Sequence, residues 1–280
     1  MKLGRTASGV FALLFLTSCS STFLYNQLDW LIPWYVDDYV DLTGPQKKSL
    51  KQQLQPLLRW HRKEELARYL DLLAGIEEDL AAPLNGSTLQ GWVDAASLAG
   101  ERLEQRMLPL AFELGEQLSD AQMTEFLESL WDKQTELEEE FLERDDAAYI
   151  EESYENFAEN LREFLGRLSA EQKLLLQDAA VSLQRFDDAW LTERRAWLEL
   201  LQRVLSERRD DWQQQIADAM ADRQQMQSPQ YRDIYLRNQQ IILQAVAEVL
   251  NSRTEKQSNH LQEELDILRR SLQKLIALAD

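Results

Sequence analysis

The 280-residue sequence contains one cysteine, two histidines, six prolines and nine glycines, and no glycine follows Gly166. One cysteine excludes an internal disulfide framework. His61 and His260 are too few soft ligands for a zinc site. The scarcity of Gly and Pro excludes a strand-rich fold, which needs frequent turn residues, whereas fifty leucines supply apolar helix faces. Positive charge is also short: 30 Lys and Arg stand against 49 Asp and Glu, a net charge of −19. Nucleic acid is therefore excluded as a partner, because its phosphates would be repelled and no counterions released. No Gly-rich phosphate loop, nucleophile elbow or Cys/His dyad occurs. The chain is accordingly expected to be no enzyme and to use no cofactor and no metal.

What is present begins at the amino terminus. Lys2 and Arg5 precede the apolar run Gly9 to Leu16 (GVFALLFL), which is far shorter than the ~20 residues of a membrane span and reads as a secretion signal. The segment closes with Leu16-Thr17-Ser18-Cys19, which resembles a bacterial lipobox. That resemblance implies cleavage between Ser18 and Cys19, with lipidation of Cys19 as the new first residue. A thiolate can take a diacylglycerol group as a thioether, and the freed amine can then be acylated. Three acyl chains, at about 0.8 kcal/mol per buried methylene, hold far better than one. Ser20 after the cysteine implies sorting to the outer membrane. Residues 1–18 are thus expected to be a signal peptide, 19–26 a lipidated tether, and 27–280 one helical domain in the periplasm.

From Phe23 to Val40 the sequence FLYNQLDWLIPWYVDDYV is aromatic and acidic, and no Lys or Arg stands between Arg5 and Lys47. Leu28, Leu31, Ile32, Tyr35, Val36 and Tyr39 recur at helical steps on either side of Pro33. The rings suit either the membrane interface or the helical core. The core is favoured, since Asp29, Asp37, Asp38 and Asp41 would be repelled by an anionic leaflet.

Four later helix starts share one form: Thr43-Gly-Pro-Gln46, Ser119-Asp-Ala-Gln122, Ser169-Ala-Glu-Gln172 and Thr254-Glu-Lys-Gln257. Each is a capping box, in which the hydroxyl accepts a backbone N–H and Gln reaches back to the N-cap. Leu42, Leu118 and Leu168 precede the first three. The unequal spacing of the boxes excludes a fixed-period solenoid. The pattern predicts helices over 44–82 with a kink at Pro56, over 88–117 with a kink at Pro109, and over 120–167 with a break or bend where Glu143 to Asp146 interrupt it. A helix over 170–226, one opening at Ser228-Pro229, and a tail seam of Leu261, Leu265, Leu268, Leu272 and Leu275 complete it. The expected fold is all-α, an elongated bundle of about six long helices.

Adjacent acidic pairs at Asp37-Asp38, Asp145-Asp146, Asp187-Asp188 and Asp210-Asp211 point about 100° apart on a helix and read as solvated faces. Arg194-Arg195 and Arg208-Arg209 read as surface ion pairs, and Glu65 lies one turn from His61, within ion-pair reach. The residues left as a candidate partner surface are Trp34, Tyr35, Asp37, Asp38, Tyr39, Trp60, His61 and Arg62.

The runs YNQLDWLIPWYVDDYVDLTGPQ (25–46) and WHRKEELARYLDLL (60–73) resemble uncharacterised proteobacterial lipoproteins grouped as a domain-of-unknown-function family. The Leu-Ser/Thr-x-x-Gln boxes also resemble the repeat of Spy/CpxP-type periplasmic chaperones, small helical dimers that hold unfolded clients. Together these imply an exported helical lipoprotein tethered to the bilayer through acylated Cys19. The expected role is a non-catalytic binding or chaperone-like module for envelope proteins; the alternative is a structural or assembly lipoprotein binding one outer-membrane or cell-wall partner.

Overall fold

Helix start signals and apolar periodicity account for most of the architecture. The structure, a computed structural model, describes residues 24–278; Ser18 and Cys19, with the cleavage and lipidation expected there, lie outside them. The described residues form helices and no strand. In chain order these are α1 (Leu28–Asp37), α2 (Gly44–Trp60), a π-helical turn (His61–Glu65), α3 (Leu66–Asp79), α4 (Gly86–Gln117), α5 (Asp120–Leu142) and α6 (Asp146–Leu165). They continue with α7 (Ala170–Ser182), α8 (Asp187–Glu207), α9 (Trp212–Ala221), α10 (Arg223–Met226), α11 (Pro229–Asn251) and α12 (Glu255–Ala277).

There are more helices than the expected six or so because several expected rods are interrupted. The break near 143–146 forms, with Asp145 accepting the Ala148 N–H at 2.8 Å as N-cap. The expected helix over 170–226 instead stops at Ser182 and again at Glu207. At the first stop, buried Asn238 takes over the backbone of Gln184, accepting its N–H at 2.9 Å and donating to its carbonyl at 2.7 Å. Arg185 then donates to the carbonyls of Phe141 and Arg144, at 2.9 and 2.6 Å. Asp187, far from being a solvated acid, is buried and takes Arg144 at 2.6 Å and Arg185 at 3.1 Å. The breaks in rods α5–α6 and α7–α8 thus lie side by side, held by one ionic knot. At the second stop Arg208 adopts a left-handed φ of 44° and donates to the carbonyls of Gly115 and Leu118. It is a cap for the end of α4, where a cation is favoured, and not a plain surface charge.

The four capping boxes all close, and they close in pairs. Gln46 Nε2 donates to Gln122 Oε1 at 3.0 Å and Gln122 Nε2 returns to Gln46 Oε1 at 2.9 Å. Gln172 and Gln257 exchange the same two bonds at 3.1 and 2.9 Å. Each amide also reaches the residue two before its partner's N-cap: Gln46 the Gln117 carbonyl, Gln122 the Asp41 carbonyl, Gln257 the Arg167 carbonyl, and Gln172 the Ser252 hydroxyl.

Two hydrophobic cores lie beside these pairs. One joins Leu42, Leu50, Leu54, Leu118, Met123, Leu127, Trp212 and Ile216 beside the first pair. The other joins Leu66, Leu73, Leu165, Leu168, Leu176 and the whole predicted tail seam from Leu261 to Leu275 beside the second. Rod α2–α3 runs antiparallel to α4 and crosses from one core to the other. Gln117 Nε2 meets Ser49 Oγ at 3.2 Å at one end, and Trp92 Nε1 donates to Asp79 at 2.7 Å at the other. The helices continue through Pro56 and Pro109, and the departure from α geometry falls later, at His61–Glu65.

Two glycines on α4 separate close packing from open space. A Cβ on Gly115 would lie 2.9 Å from the Trp212 ring, whereas one on Gly100 would meet nothing within 4 Å. Gly100→Ala should therefore stabilise the protein by about 0.5–1 kcal/mol through backbone entropy. Gly115→Ala should destabilise it, because overpacking against a buried indole costs about 1–3 kcal/mol and exceeds that gain. Urea unfolding of the two variants measures both signs.

Candidate functional site

The eight residues singled out from the sequence do not form one cleft. Helix α1 lies antiparallel to the start of α2, with Asp29 on Lys51 at 3.2 Å and Asp37 on Lys47 at 2.8 Å. Its two ends are separate places, because ten residues at 1.5 Å each span about 15 Å. At the carboxyl end, Asp37 accepts from Lys47 and from the Leu42 N–H, which hold its carboxyl below the usual range. Tyr35 and Tyr39 share a 2.9 Å hydroxyl contact, Lys133 sits 5.2 Å from the Tyr39 ring, and Asp38 is exposed.

At the amino end, buried Tyr25 places its hydroxyl 2.7 Å from His61 Nδ1, and Tyr69 faces Nε2 at 3.5 Å. Arg62 donates to Asn26 at 2.7 Å and lies over the Tyr25 ring at 5.2 Å. Burial pushes the Tyr25 hydroxyl up to about 12 and lowers His61 from its ordinary value. Burial thus favours the neutral His61 ring, and its two nitrogens face two phenols, which suits a structural hydrogen bond better than proton transfer to a ligand.

The expected His61–Glu65 ion pair is replaced by a different one. The π turn carries Glu65 fully into the interior, where Arg102 Nε meets both carboxylate oxygens at 2.6 and 3.0 Å and Arg68 lies at 3.1 Å. One turn away Arg106 covers the Trp60 ring at 4.9 Å, and the Trp60 Nε1 proton goes to Glu64. These contacts fasten rod α2–α3 to α4 midway between the two cores. Composition hides this pair, because Glu65 belongs to a run of charged residues that looks solvent-facing.

The aromatic rings divide as well. Pro33 and Tyr25 are buried, but Trp30 and Trp34 are 59% and 56% exposed, so the favoured reading of the whole segment as core is corrected. An open depression of about 400 Å³ is lined by Leu24, Gln27, Trp30 and Leu31.

A second, larger opening escaped sequence reasoning. Between α3 and α4 lies an open groove of about 600 Å³ lined by Leu72, Gly75, Ile76, Gly91 and Trp92 together with the polar Asp71, Asp79, Asn85, Ser87 and Thr88. A Cβ added at Gly75 or Gly91 would meet nothing within 4 Å. The signal available in sequence was two glycines inside helical periodicity. Among the described residues no group of three or more His, Cys, Asp or Glu is placed to hold a metal ion, and no helix is long and apolar enough to cross a membrane.

A model for a family of unknown function, DUF6279, matches residues 38–232, more than half of the chain. The chain belongs to DUF6279. The matched span of this DUF6279 protein holds the first three capping boxes, the Glu65–Arg102 junction and the α3–α4 groove. No curated protein and no solved structure matches the chain.

Two variants test the junction. Arg102→Ala leaves the buried Glu65 carboxylate without its closest cation and should cost about 3–5 kcal/mol, while Glu65→Met with Arg102→Met should recover most of it. Denaturant unfolding reads both. Because the His61 pKa is depressed in the folded state, the unfolded chain takes up that proton first, below about pH 6.5. Stability should fall as pH drops from about 7.5 to about 5.5, with a smaller slope in His61→Gln.

Proposed function

We propose that this DUF6279 member is an outer-membrane-anchored periplasmic lipoprotein acting as a non-catalytic binding or chaperone-like module for envelope proteins. Clients are taken in the α3–α4 groove. The anchor is acylated Cys19 after removal of residues 1–18, supported by the Lys2/Arg5 start, the short apolar run and the Leu-Thr-Ser-Cys box. The likeness of the Gln boxes to the Spy/CpxP repeat favours client holding over a purely structural role.

The observation that carries the binding role is the groove lining. Gly75 and Gly91 lie inside helices, where each costs about 0.5–1 kcal/mol relative to Ala. No neighbour in the chain needs their missing side chains, since added Cβ atoms meet open space. A partner segment lying close to both backbones would need them. Leu72, Ile76 and Trp92 offer that segment apolar contact, and Asp71 and Asp79 in the same lining favour cationic flanks. This is helix-in-groove recognition, with affinity from the apolar residues and orientation from the acids.

The test uses the mature chain and an unfolded client whose aggregation is followed by light scattering. The wild-type protein should slow aggregation near a stoichiometric ratio, and Gly91→Leu, which fills the groove, should remove the effect while unfolding in urea no earlier. No protection across several clients, or equal protection by the variant, contradicts the reading. In-cell crosslinking that recovers one dominant envelope partner in place of a ladder of products would instead favour an assembly lipoprotein. Membrane fractionation of Cys19→Ser against wild type tests the anchor; the variant should leave the membrane.

A further inference from the structure

We infer that the exposed face of α1 is a membrane-contact surface that seats the protein on the leaflet holding its acyl chains. The inference rests on the lipidated reading of Cys19. Leu24 stands five positions after Cys19, and five steps of chain span at most about 18 Å. The surface nearest the anchor is therefore confined to the neighbourhood of the headgroups.

That surface is aromatic and apolar. Leu24, Trp30, Trp34 and Tyr35 are each about half exposed or more, and Leu31 and Gln27 complete the shallow depression between Leu24 and Trp30. Trp30 and Trp34 stand one turn apart on one side of the helix, while Pro33 faces the protein. Amphipathic rings of this kind are most comfortable at the level of the headgroups.

Charge agrees with this placement. The acids of α1 would oppose an anionic leaflet, but Asp29 is paired with Lys51 and Asp37 with Lys47. Asp38 and Asp41 follow at the end away from the tether. The adjoining stretch from Leu42 to Lys63 carries Lys47, Lys48, Lys51, Arg59, Arg62 and Lys63 and no Asp or Glu, in a chain of net charge −19. Lys47 and Lys51 are already matched by Asp37 and Asp29, so it is the other basic residues of the stretch that add attraction to a negatively charged leaflet. An acid-free cationic stretch therefore flanks the aromatic face nearest the anchor. A leaflet matches both features, whereas a soluble protein partner would match them only at the same fixed distance from the lipid.

The experiment reconstitutes the full mature, lipidated chain into vesicles of phosphatidylethanolamine and phosphatidylglycerol containing dibrominated phosphatidylcholine, and reads tryptophan quenching. A second sample carries Trp30→Phe and Trp34→Phe, substitutions at exposed positions that leave both cores untouched. Wild type should be quenched, and the double variant should lose at least about half of that quenching, since Trp60, Trp92 and Trp212 belong to the core or junction and Trp131, Trp190 and Trp197 are partly buried on α5 and α8, away from α1 in the chain. Equal quenching in both, or none in vesicle-bound wild type, overturns the inference, and a protein partner for α1 then becomes the better account. Mass spectrometry of the amino-terminal peptide runs in parallel. An acylated Cys19 without Trp30/Trp34-dependent quenching removes the membrane face alone, and an unacylated Cys19 removes the anchor as well.

Discussion

Two pairs of glutamines, Gln46 with Gln122 and Gln172 with Gln257, hold this fold in register. A helix start leaves backbone N–H groups unsatisfied and carries partial positive charge, so two starts brought together should repel. Each glutamine resolves both problems with one neutral amide. Its oxygen accepts from its own N-cap N–H and from the partner amide, and its nitrogen reaches the residue two before the partner's N-cap. Gln46, Gln172 and Gln257 are buried, so an amide without its partner would lose bonds that no solvent replaces. Each pair sits at the edge of one hydrophobic core, and the leucines before the boxes, Leu42, Leu118 and Leu168, enter those cores.

The rest of the fold follows from joining the two cores. Rod α2–α3 and helix α4 connect them, and Glu65 with Arg102 fastens the two rods midway. A buried ion pair of this kind is weak evidence of net stability. Its geometric role is clearer: the π turn shifts the register so that Glu65 points inward at Arg102 and His61 turns to Tyr25 and Tyr69. Tyr25 belongs to the same core as Leu66 and Leu73, which ties the start of the described chain firmly to the body of the protein. The α3–α4 groove opens on the side of this junction that holds the core of Leu66 and Leu73, against which Trp92 packs.

Local signals were legible in the sequence, and long-range ones were not. The all-helical class, the four boxes, the Ser228-Pro229 start, the Asp145 break and the Leu261–Leu275 seam depend on neighbours within a turn or two. The pairing of the boxes links residues 76 or 85 positions apart, which no local pattern shows. The stops at Ser182 and Glu207 escaped for the same reason. Their backbone groups are satisfied by Asn238, Arg185 and Arg208 acting across the bundle, and 170–182 runs on into 187–207 without a local breaker. Asp187 and Glu65 looked solvated because charged neighbours surround them in sequence. Trp30 and Trp34 looked buried because the acids around them argue against an anionic leaflet, whereas among the described residues only one side of α1 has a neighbour to cover it. The candidate surface was legible as a list of unusual residues and not as a place.

The account stands most directly on the amide pairing, and a double-mutant cycle measures it. Gln172→Ala, Gln257→Ala and the double variant should unfold in urea with a coupling energy of about 0.5–3 kcal/mol, and Gln46 with Gln122 should behave alike. A control cycle between Gln46 and Gln172, which belong to different pairs, should be additive to within about 0.5 kcal/mol. Additive losses inside each pair, or coupling as large in the control, would contradict the claim that paired glutamine caps set the register of the bundle.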